Sequence, residues 1–182
     1  LIICKMVKYV FDLDDTLVAT AALNNDAYNY ALEKHGYSRI TTRHRITRNE
    51  LDYIPKEKLN EIIADKQLYF SRKWLPCRVI LNNILLNKIK KLGQKICYLW
   101  TSAEPTRTAT ILKLCRLQNM FDKVIFDDKH DLNSSVRTLK CVTHATQTVI
   151  YENDAKLSKC RHIKMVGCEQ SEFFNVFMYQ II

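Results

Sequence analysis

Glycine and proline are scarce, three of each in 182 residues. That excludes a collagen-like, linker-like or low-complexity chain. No run of about 18 uncharged apolar residues occurs, so no membrane-spanning helix is expected. The seven cysteines (Cys4, Cys77, Cys97, Cys115, Cys141, Cys160 and Cys168) include no Cys-x-x-Cys pair. This argues against a zinc ribbon or a disulfide framework and for a reducing compartment, with a cytoplasmic location expected. The segment before Met6 is too short for a signal peptide. The five histidines show no ligand spacing. Acids are outnumbered, 19 against 28 Lys and Arg, for a net charge of +9. The excess favours anionic partners such as phosphorylated metabolites, nucleotides or nucleic acid, without choosing among them.

What is present is a 47% hydrophobic chain, enough for one real core or a core with a small insertion. Its organising stretch is Tyr9-Val10-Phe11-Asp12-Leu13-Asp14-Asp15-Thr16-Leu17-Val18. Val7, Tyr9, Val10 and Phe11 predict a short buried strand. It stops in three acids and a threonine. Carboxylates crowded at the end of a buried strand repel one another and cost stability unless a cation compensates them. A hard divalent ion such as Mg²⁺ suits oxygen ligands of this kind.

Further strands are predicted near 95–100, 123–127, 147–152 and 163–167, with helical periodicity between them. Such alternation predicts a Rossmann-like α/β three-layer sandwich with a central parallel sheet. The strand ends would gather on one edge, where ligands bind. Between residues 18 and 94 no strand signal appears. Asn24-Asn25 read as a helix cap, Gly36 as a helix end, and Pro55 as the start of a second helix. Residues Arg39 to Arg48 form a basic loop, read either as phosphate-facing or as merely solvated. Leu75-Pro76 leads into a helix that Gly93 closes. The division expected is a core of 1–18 and 76–182 with a small all-helical insertion over 19–75. The aromatic tail from Phe173 to Ile182 is expected to pack on the sheet.

The strand followed by Asp12-x-Asp14-x-Thr16 resembles the first motif of the haloacid dehalogenase (HAD) superfamily of phosphohydrolases. That family usually has Gly where this chain has Asp15. The resemblance implies that Asp12 is a nucleophile and Asp14 a general acid/base, with Thr16 supporting the turn. A helical cap commonly sits where residues 19–75 fall. Ile96 to Trp100 running into Thr101-Ser102 resembles the second motif, making Thr101 the phosphate-binding hydroxyl and Ser102 its alternative. Ser102 also reads as a helix cap. Thr148 to Asp154 resembles the fourth motif. Its acids, Glu152 with Asn153 or Asp154, would complete a Mg²⁺ shell with Asp12 and Asp14. The Glu-Asn-Asp run departs from the family's usual forms, and an Asn carbonyl brings no charge. Asp127 and Asp128 are a weaker rival set, read as a polar strand end. For the third-motif lysine, Lys140 is preferred and Lys129 is the rival.

The implied activity is Mg²⁺-dependent phosphomonoester hydrolysis through an aspartyl-phosphate, with a nucleotide or other small phosphorylated metabolite as substrate. The alternatives are a catalytically impaired binding protein on the same fold and a nucleic-acid end phosphatase.

Overall fold

The computed structural model describes residues 6–73 and 80–182. The expected helix entry at Leu75-Pro76 lies outside them. The chain divides into two compact units, one formed by Leu1–Ala19 with Val79–Ile182, the other by Thr20–Arg78.

The first unit is built on strands β1 (Val7–Phe11), β2 (Cys97–Thr101), β3 (Lys123–Phe126), β4 (Gln147–Glu152), β5 (Ile163–Gln170) and β6 (Asn175–Ile181). They form one sheet in the order β3-β2-β1-β4-β6-β5. β1, β2, β3 and β4 run parallel, whereas β6 is antiparallel to both β4 and β5. The central parallel sheet expected from the sequence is present as β3-β2-β1-β4, and the antiparallel strands β6 and β5 extend it into a mixed sheet. The segment at 163–167 is a strand, but it reaches the sheet edge only through β6. The aromatic tail is that β6. Val176 and Tyr179, three residues apart and so on opposite faces, are both fully buried, and β6 pairs with β4 on one side and β5 on the other, so it inserts into the sheet instead of lying against it.

Side chains alternate across the pleat. Val10, Tyr98, Trp100, Ile150 and Tyr179 share a core with Val136 and Leu139 of helix α5 (Leu132–Thr143). Phe11 and Tyr151 project from the other face, stacked with ring centroids 4.7 Å apart. Lys88 of α3 (Asn83–Leu92) lies over Tyr151 there. Helices thus flank both faces. Burying one such large side chain stabilises by about 1.5–3 kcal/mol. α4 (Pro105–Leu114) links β2 to β3.

The second unit holds α1 (Ala21–Lys34) and α2 (Lys56–Lys73) around Tyr28, Ala31, Leu32, Ile46, Leu51, Ile54 and Ile62. Gly36 has φ +79° and ends α1, as its lack of a Cβ allows. Asn24 and Asn25 are not caps. They lie inside α1, and their side chains bind the backbone of a neighbouring segment. Asn24 Nδ2 donates to the Ile46 carbonyl at 3.0 Å, and Asn25 Oδ1 accepts from the Ile46 amide at 2.8 Å. Asn29 binds the Ile40 backbone in the same manner. The basic loop is thereby fastened to α1 at both ends. Among the described residues no helix is long and apolar enough to cross a membrane.

Candidate active site

β1 is flanked by β2 and β4, so its carboxyl end lies at the middle of the parallel strands. The chain leaves β1 in a tight loop. Leu17 and Val18 amides donate to the Leu13 carbonyl at 3.0 and 3.1 Å, and the Asp15 amide donates to the Val18 carbonyl at 2.7 Å. Asp15 sits at φ +59°. That left-handed conformation favours Gly, and Asp tolerates it better than most residues. Asn82 closes the loop from outside. Its Nδ2 donates to the Thr16 carbonyl at 3.0 Å while its Oδ1 caps α3 by accepting from the Leu85 amide.

Asp12 is 5% exposed. Its Oδ1 accepts from Lys129 Nζ at 2.7 Å, and the same ammonium donates to Glu152 Oε2 at 2.5 Å. Thr16 Oγ1 is 3.5 Å from Asp12 Oδ2. Burial first, then the Glu152 charge, pushes the Asp12 carboxyl up to about 8, against the pull of Lys129. For Lys129, burial alone would favour loss of the proton. The charges of Asp12 and Glu152 overcome it and raise the ammonium above its usual range. Asp14, two residues on, is ion-paired with Arg107 of α4.

The other candidates are placed as follows. Thr101 is buried at the end of β2, and its hydroxyl accepts from the Ala103 amide at 3.1 Å. Ser102 is exposed, and the cap of α4 is Glu104, which accepts from the Thr106 and Arg107 amides. Glu152 is buried with Asp12, its Oε1 accepting from the Asn153 amide. Asp154 is not brought to this cluster. It is exposed, accepts from the Lys156 amide at 2.8 Å, and starts the short 3₁₀ turn Ala155–Lys159. Lys140 lies exposed in the last turn of α5. The cation that reaches Asp12 is the rival, Lys129. Helical phase explains the difference: α5 turns Val136 and Leu139 inward, leaving the next position in solvent.

Sequence reasoning missed Arg107, Asn82, and the part played by Trp100 and Asp127. The Trp100 indole Nε1 donates to Asp127 Oδ2 at 3.2 Å, and Lys129 Nζ lies 4.2 Å from the Trp100 ring centroid. The available signal was that Asp127 stands two residues before a lysine, a spacing at which Asp often binds backbone amides.

Among the described residues no group of three or more His, Cys, Asp or Glu is arranged as a ready metal shell. The donor chemistry nonetheless fits a hard cation. Asp12 and Glu152 oxygens converge on one positive charge, and a second cation would oppose the burial and the Glu152 charge that raise Asp12.

No protein-family profile matches the chain, and no curated protein does. Solved structures do. A HAD hydrolase of family IA, variant 3, from Entamoeba histolytica superposes with a TM-score of 0.55 at 17% identity, over 69% of this chain and 63% of that one. A haloacid dehalogenase-like hydrolase from Streptococcus pneumoniae does so at 0.60 and 14%, over 78% and 71%. A protein described as a predicted phosphoglycolate phosphatase from Haemophilus somnus gives 0.60 and 12%, over 75% and 71%. The chain spans less than two thirds of the first of these proteins. The fold is the Rossmann-like α/β fold of HAD hydrolases.

Proposed function

We propose that the chain is a HAD-type phosphomonoesterase with Asp12 as nucleophile. The observation that carries this reading is the buried Asp12 carboxylate at the end of the central strand, sharing Lys129 with Glu152 and followed two residues later by Asp14. Structural neighbours with hydrolase and phosphatase names support it.

In this mechanism a carboxylate oxygen of Asp12 attacks phosphorus and the bond to the leaving oxygen breaks. Asp14 gives that oxygen a proton, then takes one from the water that cleaves the aspartyl-phosphate. Lys129 steadies Asp12 and faces the incoming negative charge. The Thr101 hydroxyl, with Ser102 as alternative, would donate to a phosphoryl oxygen. Asp12 and Glu152, with the Asp14 main-chain carbonyl and the Asn153 side-chain carbonyl, would hold Mg²⁺, so that the Asp14 carboxyl is kept for the proton. Such an ion would supply neutralisation of the repulsion between nucleophile and phosphate. The helical unit would be the cap of such an enzyme. The substrate is a small phosphorylated metabolite, a nucleotide being favoured by the +9 charge and the basic loop.

The test is hydrolysis of p-nitrophenyl phosphate with and without Mg²⁺ by the wild-type chain and by Asp12→Asn. The reading requires turnover that depends on the metal and is abolished by the substitution. Near-wild-type turnover in Asp12→Asn overturns it. A second reading, an impaired binding protein, is favoured by one observation: Asp154 faces solvent, leaving an uncharged Asn beside Glu152. Failure to bind Mg²⁺ would favour that one.

A further inference from the structure

Lys129 is held from three sides, and only one of them is the pair of acids. Its backbone is left-handed, with φ +54°. A non-glycine residue takes that conformation at a cost and needs support from its surroundings. The support is Asp127. Its Oδ1 accepts from the Lys129 amide at 2.9 Å. Its Oδ2 accepts from the Trp100 indole N–H at 3.2 Å. Trp100 is fully buried on β2, and the Asp127 amide donates to the Thr101 carbonyl at 3.0 Å. The face of the same indole lies under the Lys129 ammonium, 4.2 Å away. One rigid ring therefore touches the lysine twice: directly through its π face, and through Asp127 at the backbone.

We propose that Trp100 and Asp127 form a clamp that positions Lys129 on Asp12 and Glu152. Both are positioning residues, and this role rests on the reading of Asp12 as nucleophile. A lysine stem is flexible and its ammonium is a point charge without preferred direction. Fixing the backbone at one end and the ammonium over an aromatic face at the other confines it to one placement. Phe at position 100 would keep a ring under the ammonium but leave Asp127 Oδ2 without its indole donor. Ala at position 127 would release the Lys129 amide.

The experiment is a double-mutant cycle on p-nitrophenyl phosphate hydrolysis, with amide hydrogen exchange as a readout that needs no turnover. Trp100→Phe and Asp127→Ala are each expected to lower kcat about tenfold. In a Lys129→Met background each should change kcat less than twofold, because there is no ammonium left to place. In the substrate-free chain, Trp100→Phe should speed exchange of the Lys129 amide at least tenfold. Asp127→Asn, which keeps an acceptor oxygen, replaces Asp127→Ala if the latter does not fold. Equal losses in the presence and absence of Lys129, or an unchanged amide exchange rate, overturn the clamp. Retention of activity by Asp12→Asn would overturn the nucleophile assignment instead, so the two failures are distinct.

Discussion

Arg107 and Asp14 form an ion pair although 93 residues separate them in the chain. Both partners are largely buried, with 7% and 15% of their side chains exposed. One end of α4 is thereby joined to the loop that follows β1. The pair also holds the proposed acid/base in a single direction.

Arg107→Gln should therefore act on stability and rate together. Removing one member of a largely buried pair costs about 3–5 kcal/mol in the extreme case, and partial exposure of Asp14 reduces this. A fall in Tm of about 5 °C is expected, at roughly 2–4 °C per kcal/mol for a chain of this size. A larger loss in kcat than in KM should accompany it. Thermal melting and steady-state kinetics check both.

Lys129→Met and Lys140→Met should separate sharply. The first removes the charge shared by Asp12 and Glu152 and should lower kcat by about 10²-fold or more. The second removes a solvent-exposed charge from α5 and should leave kcat within about twofold. Parallel kinetics of the two variants decide the question.

The Asp12 carboxyl makes stability depend on pH. Its value in the fold is about 8, against 3.8 as the ordinary value. Between these limits the folded chain binds more protons than the unfolded one, so stability falls as pH rises from about 4 to about 8. Asp12→Asn, which carries no such charge, should melt above wild type by about 3 °C or more at pH 8 and show less difference at pH 5. Mg²⁺ should raise the wild-type Tm most at the alkaline end, because it favours the ionised carboxylate. Melting curves across pH, with and without the metal, test this.

The residue after Glu152 offers a gain of function. Asn153→Asp adds a hard, charged oxygen where the chain now has an amide, and should tighten Mg²⁺ binding about tenfold. Asp154→Asn alters only an exposed turn and should leave affinity unchanged within about twofold. Calorimetric titration of Mg²⁺ compares them.

Much of the core was legible because local signals agreed. The apolar run into Asp12 and the run into Glu152 each announced a buried strand ending in charge. Asp15 could stand in for Gly because a short acid tolerates positive φ. The mixed sheet was not legible. A strand of alternating pattern does not state its direction, and the β5 and β6 pairing is fixed by a return of the chain. Lys140 was preferred to Lys129 on spacing, since neither the inward phase of α5 nor the left-handed turn at Lys129 is written in one residue. Arg107 lay hidden because an ion pair across 93 residues leaves no periodic trace. Asn24 and Asn25 misled for a related reason: an amide that binds a distant backbone looks, in one dimension, like a cap.

β1 is central in the sheet, yet its partners β2 and β4 lie beyond the whole helical unit in sequence. On the ribosome the strand bearing Asp12 therefore emerges with neither neighbour made. The helical unit, whose contacts are local, can settle while that strand waits. Glu152 emerges after Lys129, so a nascent chain stalled between the two holds the lysine with only Asp12 to meet it. Synthesis thus assembles the surroundings of Asp12 last, and fragments ending before β4 lack the acid that shares Lys129 with it.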